Sequence, residues 1–157
     1  MLKKDFWYDL PKELIAQEPA DPRDSARLMV LSQKDDSIQH KIFHDLPEFL
    51  EPGDLLVAPH DCYGGSYRLF DSLAKRGCYR VQFVDQNDEQ ALRAALAEKP
   101  KLVLVESPSN PLLRVVDIAK ICGLAREAGA VSVVDNTFLS PALQNPLALG
   151  ADLVMLS

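Results

Sequence analysis

The fold is decided by residues 102–136, which read LVLVESPSNPLLRVVDIAKICGLAREAGAVSVVDN. Two apolar runs of strand length, Leu102–Ser107 and Ala130–Asn136, flank a stretch of helix length. That stretch, Asp117–Ala128, carries apolar residues at the spacing of one helical face: Ile118, Ile121, Cys122 and Ala125. Strand, helix and strand in this order predict a parallel β-α-β unit.

The same alternation continues on both sides of this unit. Further strands are predicted at Asp54–Pro59, Tyr79–Asp85 and Asp152–Ser157, and a second helix at Asp88–Lys99. Gly77 and Gly129 stand where helices should end, because glycine adopts the left-handed conformation that closes a last turn. Strands that are apolar throughout and joined by helices are typical of a parallel sheet covered on both faces. Residues 53–157 are therefore predicted to form a three-layer α/β unit.

Residues 1–52 follow a different pattern. Arg27–Leu31 and Ile38–Phe43 are predicted strands joined by a turn at Lys34–Ser37, which together form a hairpin. Prolines exclude long helices from this half, because each lacks an amide donor and restrains the residue before it: Pro11, Pro19, Pro22, Pro47 and Pro52. The seam near Pro52-Gly53 therefore divides a small, irregular, β-rich segment, 1–52, from the α/β segment, 53–157.

Composition limits the function classes. The chain of 157 residues has a net charge of −6, which argues against a dominant polybasic surface. Its three cysteines form no C-x-x-C pair, which favours reduced thiols over a disulfide framework or a zinc knuckle. His40 and His44 have the spacing of a metal-binding helix face, but they lie where a strand passes into a loop, so no metal site is predicted. With no apolar run of about 18 residues, we expect a soluble, cytoplasmic protein without a membrane span.

Polar residues follow the carboxyl ends of the predicted strands, where open parallel sheets bind ligands. They occur in 61–65, 106–111, 135–137 and at Ser157. A pyridoxal cofactor needs a carboxylate at its ring nitrogen, and Asp135 is placed to supply one. Tyr63 could stack on the ring, and Gly64-Gly65 would allow close backbone approach. In the alternative interpretation, Asp135 caps a turn, 63–65 is an ordinary loop and 108–111 is a turn.

Three motifs occur in an order that resembles a known enzyme family. They are PGDLLVAPHDCYGGSYRLF at 52–70, ESPSNP at 106–111 and VVDNTF at 133–138. Together they resemble the cystathionine γ-synthases, pyridoxal-phosphate enzymes of the Cys/Met metabolism family, over about two-thirds of the chain. The resemblance implies part of the large domain of a fold-type I enzyme. It implies γ-replacement on an activated homoserine with cysteine, in methionine biosynthesis.

The resemblance also implies site residues. Tyr63 would stack on pyridoxal phosphate, Asp135 would pair with the ring nitrogen, and Asn110 and Thr137 would lie beside the cofactor or substrate. Ser157 matches the first residue of an S-x-T-K motif that contacts the phosphate. The family's Schiff-base lysine stands three residues beyond that position, so no catalytic residue is assigned here and we expect the 157 residues to be catalytically incomplete.

The first half resembles a second family. DFWYDLP at 5–11, LIAQ at 14–17, PRDSARL at 22–28 and FHDL at 43–46 are similar to the amino terminus of the S-adenosylmethionine:tRNA ribosyltransferase-isomerases of queuosine synthesis. The chain thus has the pattern of a fusion of two unrelated proteins.

Three hypotheses follow from these resemblances: a partial pyridoxal-phosphate enzyme that acts on a small amino acid, a tRNA-modifying fragment that binds tRNA, or a non-catalytic chimera. Uncovered strand edges and apolar faces would favour self-association under the last.

Overall fold

A computed structural model describes residues 27–31, 38–42, 45 and 50–156. In chain order the described elements are β1 (Arg27–Leu31), β2 (Ile38–Ile42), β3 (Leu55–Pro59), α1 (Gly64–Lys75), β4 (Arg80–Val84), α2 (Glu89–Ala97), β5 (Leu102–Glu106), α3 (Ile118–Glu127), β6 (Val131–Asp135), α4 (Ser140–Leu143) and β7 (Leu153–Met155). All seven predicted strands and both named helices are confirmed, and each end lies within two residues of its predicted position. Ser157 lies outside the described residues.

The strands form one sheet in the order β2-β1-β7-β6-β5-β3-β4. The five strands β3 to β7 pair in parallel, as predicted. The register of β5 and β6 aligns Leu102 with Val131 and Glu106 with Asp135. The carboxyl ends of these two strands therefore lie side by side.

Apolar side chains alternate between the two faces of the sheet. On β3, Leu55 and Val57 join one core cluster with residues of α2 and α3, whereas Leu56 and Ala58 join a second cluster with Phe70 of α1. Since successive side chains of a strand point to opposite faces, a strand buried along its whole length must be covered on both. All five residues of β3 and of β5 are buried. The predicted three-layer α/β architecture is thus confirmed.

The two predicted strands of the first half are also confirmed, and they pair antiparallel with Leu31 opposite Ile38. The predicted turn at Lys34–Ser37 lies outside the described residues. The structure adds a contact that the sequence did not indicate. Strand β1 also pairs antiparallel with β7, where Leu28 lies opposite Met155. The β-rich segment therefore extends the sheet of the α/β segment, and the seam at Pro52-Gly53 falls between strands of one sheet.

Helix starts follow local side-chain chemistry. Asp88 and Asp117 are the N-caps of α2 and α3. The Asp88 carboxylate accepts two backbone N–H groups of the first turn and the Asp117 carboxylate accepts one. The interpretation of Tyr63-Gly64-Gly65 as a loop or turn was wrong, because Gly64 and Gly65 are the first residues of α1. Within the described part of the chain, no helix is long and apolar enough to cross a membrane.

Candidate cofactor site

The residues that follow the carboxyl ends of β3, β5 and β6 meet at one end of the sheet, here called the carboxyl end. Glu106, the last residue of β5, is buried there. Its Oε2 accepts the backbone N–H of Tyr63 at 2.8 Å, and its Oε1 accepts that of Asn110 at 2.8 Å. Two of the predicted site residues are thus brought together by one carboxylate. Sequence reasoning did not assign Glu106 to the site.

The Tyr63 ring lies against the start of α1, because Gly65 has no side chain there. A methyl group built on Gly65 would meet the ring directly and would lie 3.0 Å from its Cδ1 and 3.2 Å from its Cζ. The φ and ψ of Tyr63 are −47° and 131°, so the residue is extended and the helix begins after it. The glycine therefore provides the space that this aromatic ring occupies.

Asp135 ends β6 in the register position beside Glu106. Its Oδ1 accepts the Thr137 backbone N–H at 3.0 Å, and the Thr137 side chain also donates to the carboxylate. Asp135 thus caps the following turn, as the alternative interpretation predicted, while it stands at the predicted ligand-binding position. Burial raises the pKa of Asp135, and the bonds from Thr137 oppose that rise.

Two neighbouring carboxyl groups give this end of the sheet an unusual electrostatic character. Burial is also the main cause that raises the pKa of Glu106, and the charges of Asp135 and Asp61 add to it. Among the described residues, no lysine, arginine or histidine forms an ion pair with Glu106 or Asp135. Buried carboxylates without a cation are stabilised by a ligand that brings positive charge.

A polar network that sequence reasoning missed fixes the loop after β5. Ser109 donates from Oγ to Asp61 Oδ2 at 2.8 Å, and Arg114 Nη2 donates to Asp85 Oδ2 at 2.9 Å. The Asn87 backbone N–H and the Arg114 guanidinium hold the pKa of Asp85 below its usual range. These contacts join loops that follow β3, β4 and β5. Only the polar positions after each strand signalled them in the sequence.

A second, neutral network connects the loops after β5 and β6. The Gln144 side-chain amide donates to Asn136 Oδ1 at 2.8 Å and to the Ser107 carbonyl at 3.0 Å. Asn136 in turn donates from Nδ2 to the Gln144 carbonyl at 3.0 Å. Residues 107–116, which include the PSNP turn, are thereby held on two sides. The interpretation of 108–111 as a turn is compatible with this supported loop.

The residues present fit a pyridoxal cofactor. Asp135 offers a carboxylate that lacks a cationic partner in the described part of the chain, and Tyr63 offers a ring seated on a glycine. Cys62 is not a competing nucleophile, because burial and nearby carboxylates raise its pKa to about 12. Over the same described residues, no group of three or more His, Cys, Asp or Glu could hold a metal ion.

Comparisons with known proteins identify relatives of this chain. The cystathionine γ-synthase of Escherichia coli is 94% identical over 107 residues, which are 68% of this chain and 28% of that enzyme. A cystathionine γ-synthase/O-acetylhomoserine (thiol)-lyase of Bacillus subtilis is 36% identical over 144 residues, 92% of this chain and 37% of that protein. The chain thus spans about 28% of the length of the first of these relatives.

Structural similarity agrees with the sequence comparison. A crystal structure of cystathionine γ-synthase from Xanthomonas oryzae pv. oryzae, in complex with aminoacrylate and cysteine, superposes with a TM-score of 0.69 and 54% identity. The overlap covers 71% of this chain and 29% of that one. The family model for the Cys/Met metabolism PLP-dependent enzymes matches residues 39–157. Since that match covers most of the chain, the chain belongs to the Cys/Met metabolism family of pyridoxal-phosphate-dependent enzymes.

Proposed function

We propose that residues 53–157 form part of the cofactor-binding domain of a cystathionine γ-synthase. The reaction is γ-replacement, in which the sulfur of cysteine displaces the activating group of an activated homoserine. The 94% identity to the Escherichia coli enzyme carries the choice of reaction. The buried carboxyl group of Glu106 and the half-buried one of Asp135, at the carboxyl end of the sheet, support the choice of cofactor.

Each site residue has a distinct role in this proposal. When bound, pyridoxal phosphate supplies an electron sink for negative charge that develops on the substrate. Asp135 would pair with the ring nitrogen and hold its proton, and Thr137, which donates to that carboxylate, would fix its orientation. The Tyr63 ring would stack on the cofactor ring and hold its plane. Asn110 would lie beside cofactor or substrate, and Ser157 would contact the phosphate.

The proposed substrates are small amino acids. The Xanthomonas oryzae relative holds aminoacrylate and cysteine, which are molecules of the size and class that the reaction requires. We place the protein in the cytoplasm, where free cysteine and reduced thiols coexist. The expectation that the 157 residues alone do not turn over substrate stays a prediction.

Binding of pyridoxine 5′-phosphate tests the proposed cofactor site. This compound lacks the aldehyde, so it reports the site rather than Schiff bases with surface lysines. We expect saturable binding by fluorescence titration, weakened by about tenfold or more in Asp135→Asn because a charge-assisted hydrogen bond is lost. Asp152→Asn is the matched control, since Asp152 accepts its bonds from Ser132 at the other end of the sheet. Equal affinity in both variants would contradict the proposal.

For residues 1–52 we propose a separate origin, in a tRNA ribosyltransferase-isomerase. The motifs in 5–28 support this assignment, and the hairpin of β1 and β2 is compatible with it. Electrophoretic mobility of tRNA with the intact chain and with a variant lacking residues 1–50 tests the proposal. Pyridoxine 5′-phosphate binding by the same variant serves as its folding control. Unchanged tRNA mobility with the intact chain would contradict a role in tRNA binding.

We also propose self-association through apolar side chains of the loop after β5. Leu112, Leu113 and Val115 are 60%, 62% and 68% exposed, which is high for large aliphatic side chains. Light scattering should give a mass above one chain, and Leu113→Ser should shift it toward the monomer. A monodisperse monomer at every concentration would overturn this proposal.

A further inference from the structure

Glu106 occupies a central place in the candidate site. It is 4% exposed, and it accepts one backbone N–H from each of the two loops that carry Tyr63 and Asn110. Tyr63 precedes Glu106 by 43 residues in the chain, whereas Asn110 follows Glu106 by only four. One side chain therefore joins a long-range contact to a local one.

We infer that Glu106 is a positioning residue, which holds the Tyr63 ring and Asn110 at the distances that the cofactor requires. The inference rests on the proposed function. We assign Glu106 no contact with the cofactor, because each of its two oxygens accepts a hydrogen bond from a backbone N–H group. It acts by fixing the backbone from which the contacting groups project.

A carboxylate suits this task better than an amide. Both oxygens of a glutamate accept hydrogen bonds, whereas glutamine presents one acceptor and one donor. In Glu106→Gln, an NH₂ group would face one of the two backbone N–H groups. One of the two loops would lose its contact, while the size of the side chain would stay the same.

Stability alone does not account for a carboxylate at this position. Glu106 is buried beside Asp135, and no cation pairs with either among the described residues. A few residues away, Gln144 and Asn136 connect loops with neutral amides. Those amides hold loops that present acceptor oxygens, whereas Glu106 meets two N–H donors and also adds negative charge near the place where a cationic ring nitrogen is proposed to bind.

The test compares Glu106→Gln with Asp152→Asn, two single-atom changes of carboxylates that each accept two hydrogen bonds. Glu106 accepts them from Tyr63 and Asn110, and Asp152 accepts both from Ser132. We expect Glu106→Gln to weaken pyridoxine 5′-phosphate binding by about tenfold. Asp152→Asn should leave the affinity unchanged even where it lowers the unfolding midpoint. Loss of affinity in both variants in proportion to their instability, or in neither, would overturn the inference. Failure of the wild-type chain to bind would instead overturn the proposed function.

A second readout uses no ligand and no variant of Glu106. In the wild-type chain, the amide proton resonances of Tyr63 and Asn110 should move together with pH and share one midpoint, because one carboxyl group accepts both. Asp135, Asp61 and Cys62 are the other titratable groups that face Glu106. The common midpoint should persist in Asp135→Asn. Independent movement of the two resonances would overturn the inference even if Glu106→Gln failed to fold.

Discussion

The carboxyl groups at the two ends of the parallel sheet have different surroundings. At the amino end, Asp152 precedes β7 and accepts both the backbone N–H and the hydroxyl of Ser132, at 2.9 Å and 2.7 Å. The Ser132 Oγ accepts the Asp152 N–H in return at 3.1 Å. At the carboxyl end, Glu106 and Asp135 lie in register beside each other, and burial raises the pKa of both.

This difference indicates what each end is for. The amino end closes its hydrogen bonds within the protein, so it contributes to stability without needing a ligand. At the carboxyl end, burial disfavours the charged forms of two acidic groups, and a bound cation would stabilise those forms. Functional sites commonly retain such unfavourable electrostatics.

The largest expected effect is at the amino end. Asp152→Ala would leave the buried Ser132 amide and hydroxyl without their acceptor, so the free energy of unfolding should fall by about 2 kcal/mol. Urea unfolding followed by circular dichroism measures this. Affinity for pyridoxine 5′-phosphate should stay unchanged in the folded fraction. If Asp152→Ala lost affinity for pyridoxine 5′-phosphate while its stability stayed intact, that result would contradict the roles assigned to the two ends.

A smaller effect is expected at the start of α1. Gly65→Ala would push the Tyr63 ring from its place, whereas in Gly64→Ala the new methyl group meets only the Arg68 guanidinium at 3.2 Å, a flexible group that can move. Relative to Gly64→Ala, Gly65→Ala should lose about 1–2 kcal/mol of stability. It should also weaken pyridoxine 5′-phosphate binding.

Both glycines lie in the first turn of the same helix, so the helix preference of alanine affects the two variants alike. Equal stability and equal affinity in Gly64→Ala and Gly65→Ala would show that the ring does not depend on this space.

The smallest expected effect concerns pH. The folded-state pKa of Asp135 is raised above its usual 3.8, so its contribution to stability is fully present below that value and is lost as pH rises through the folded pKa. In Asp135→Asn this loss of stability with rising pH is absent, because asparagine does not titrate. The unfolding free energy of the variant relative to wild type should therefore increase from pH 3 to pH 7, as measured by urea titrations at each pH. A difference that stays constant with pH would contradict the assigned cause.

Much of the fold was predictable because the apolar runs of β3 and β5 are continuous. Helix α1 was harder, since two glycines at its start are weak helix formers and favoured a turn. The burial of Phe70 against the sheet overrides that local preference. The pairing of β1 with β7 joins segments more than 120 residues apart in the printed sequence, and no local pattern specifies such a contact.

The site was predictable only in part for a similar reason. Asp135 and Tyr63 stand out as residue types that a cofactor needs, whereas Glu106 gains its importance from the register of β5 and β6 and from a contact across 43 residues. The contacts of Arg114 and Gln144 likewise depend on loops that meet only in the folded chain. Whether the named residues bind the cofactor stays a prediction.

The most direct test of the account is a map of backbone amide resonances on addition of pyridoxine 5′-phosphate. We expect saturable shifts concentrated at Tyr63, Asn110 and Thr137, at the carboxyl end of the sheet, with the resonances of Ser132 and Asp152 unmoved. Shifts that scatter over the surface, or that centre on Ser132 and Asp152, would contradict the assignment of the carboxyl end as the cofactor site.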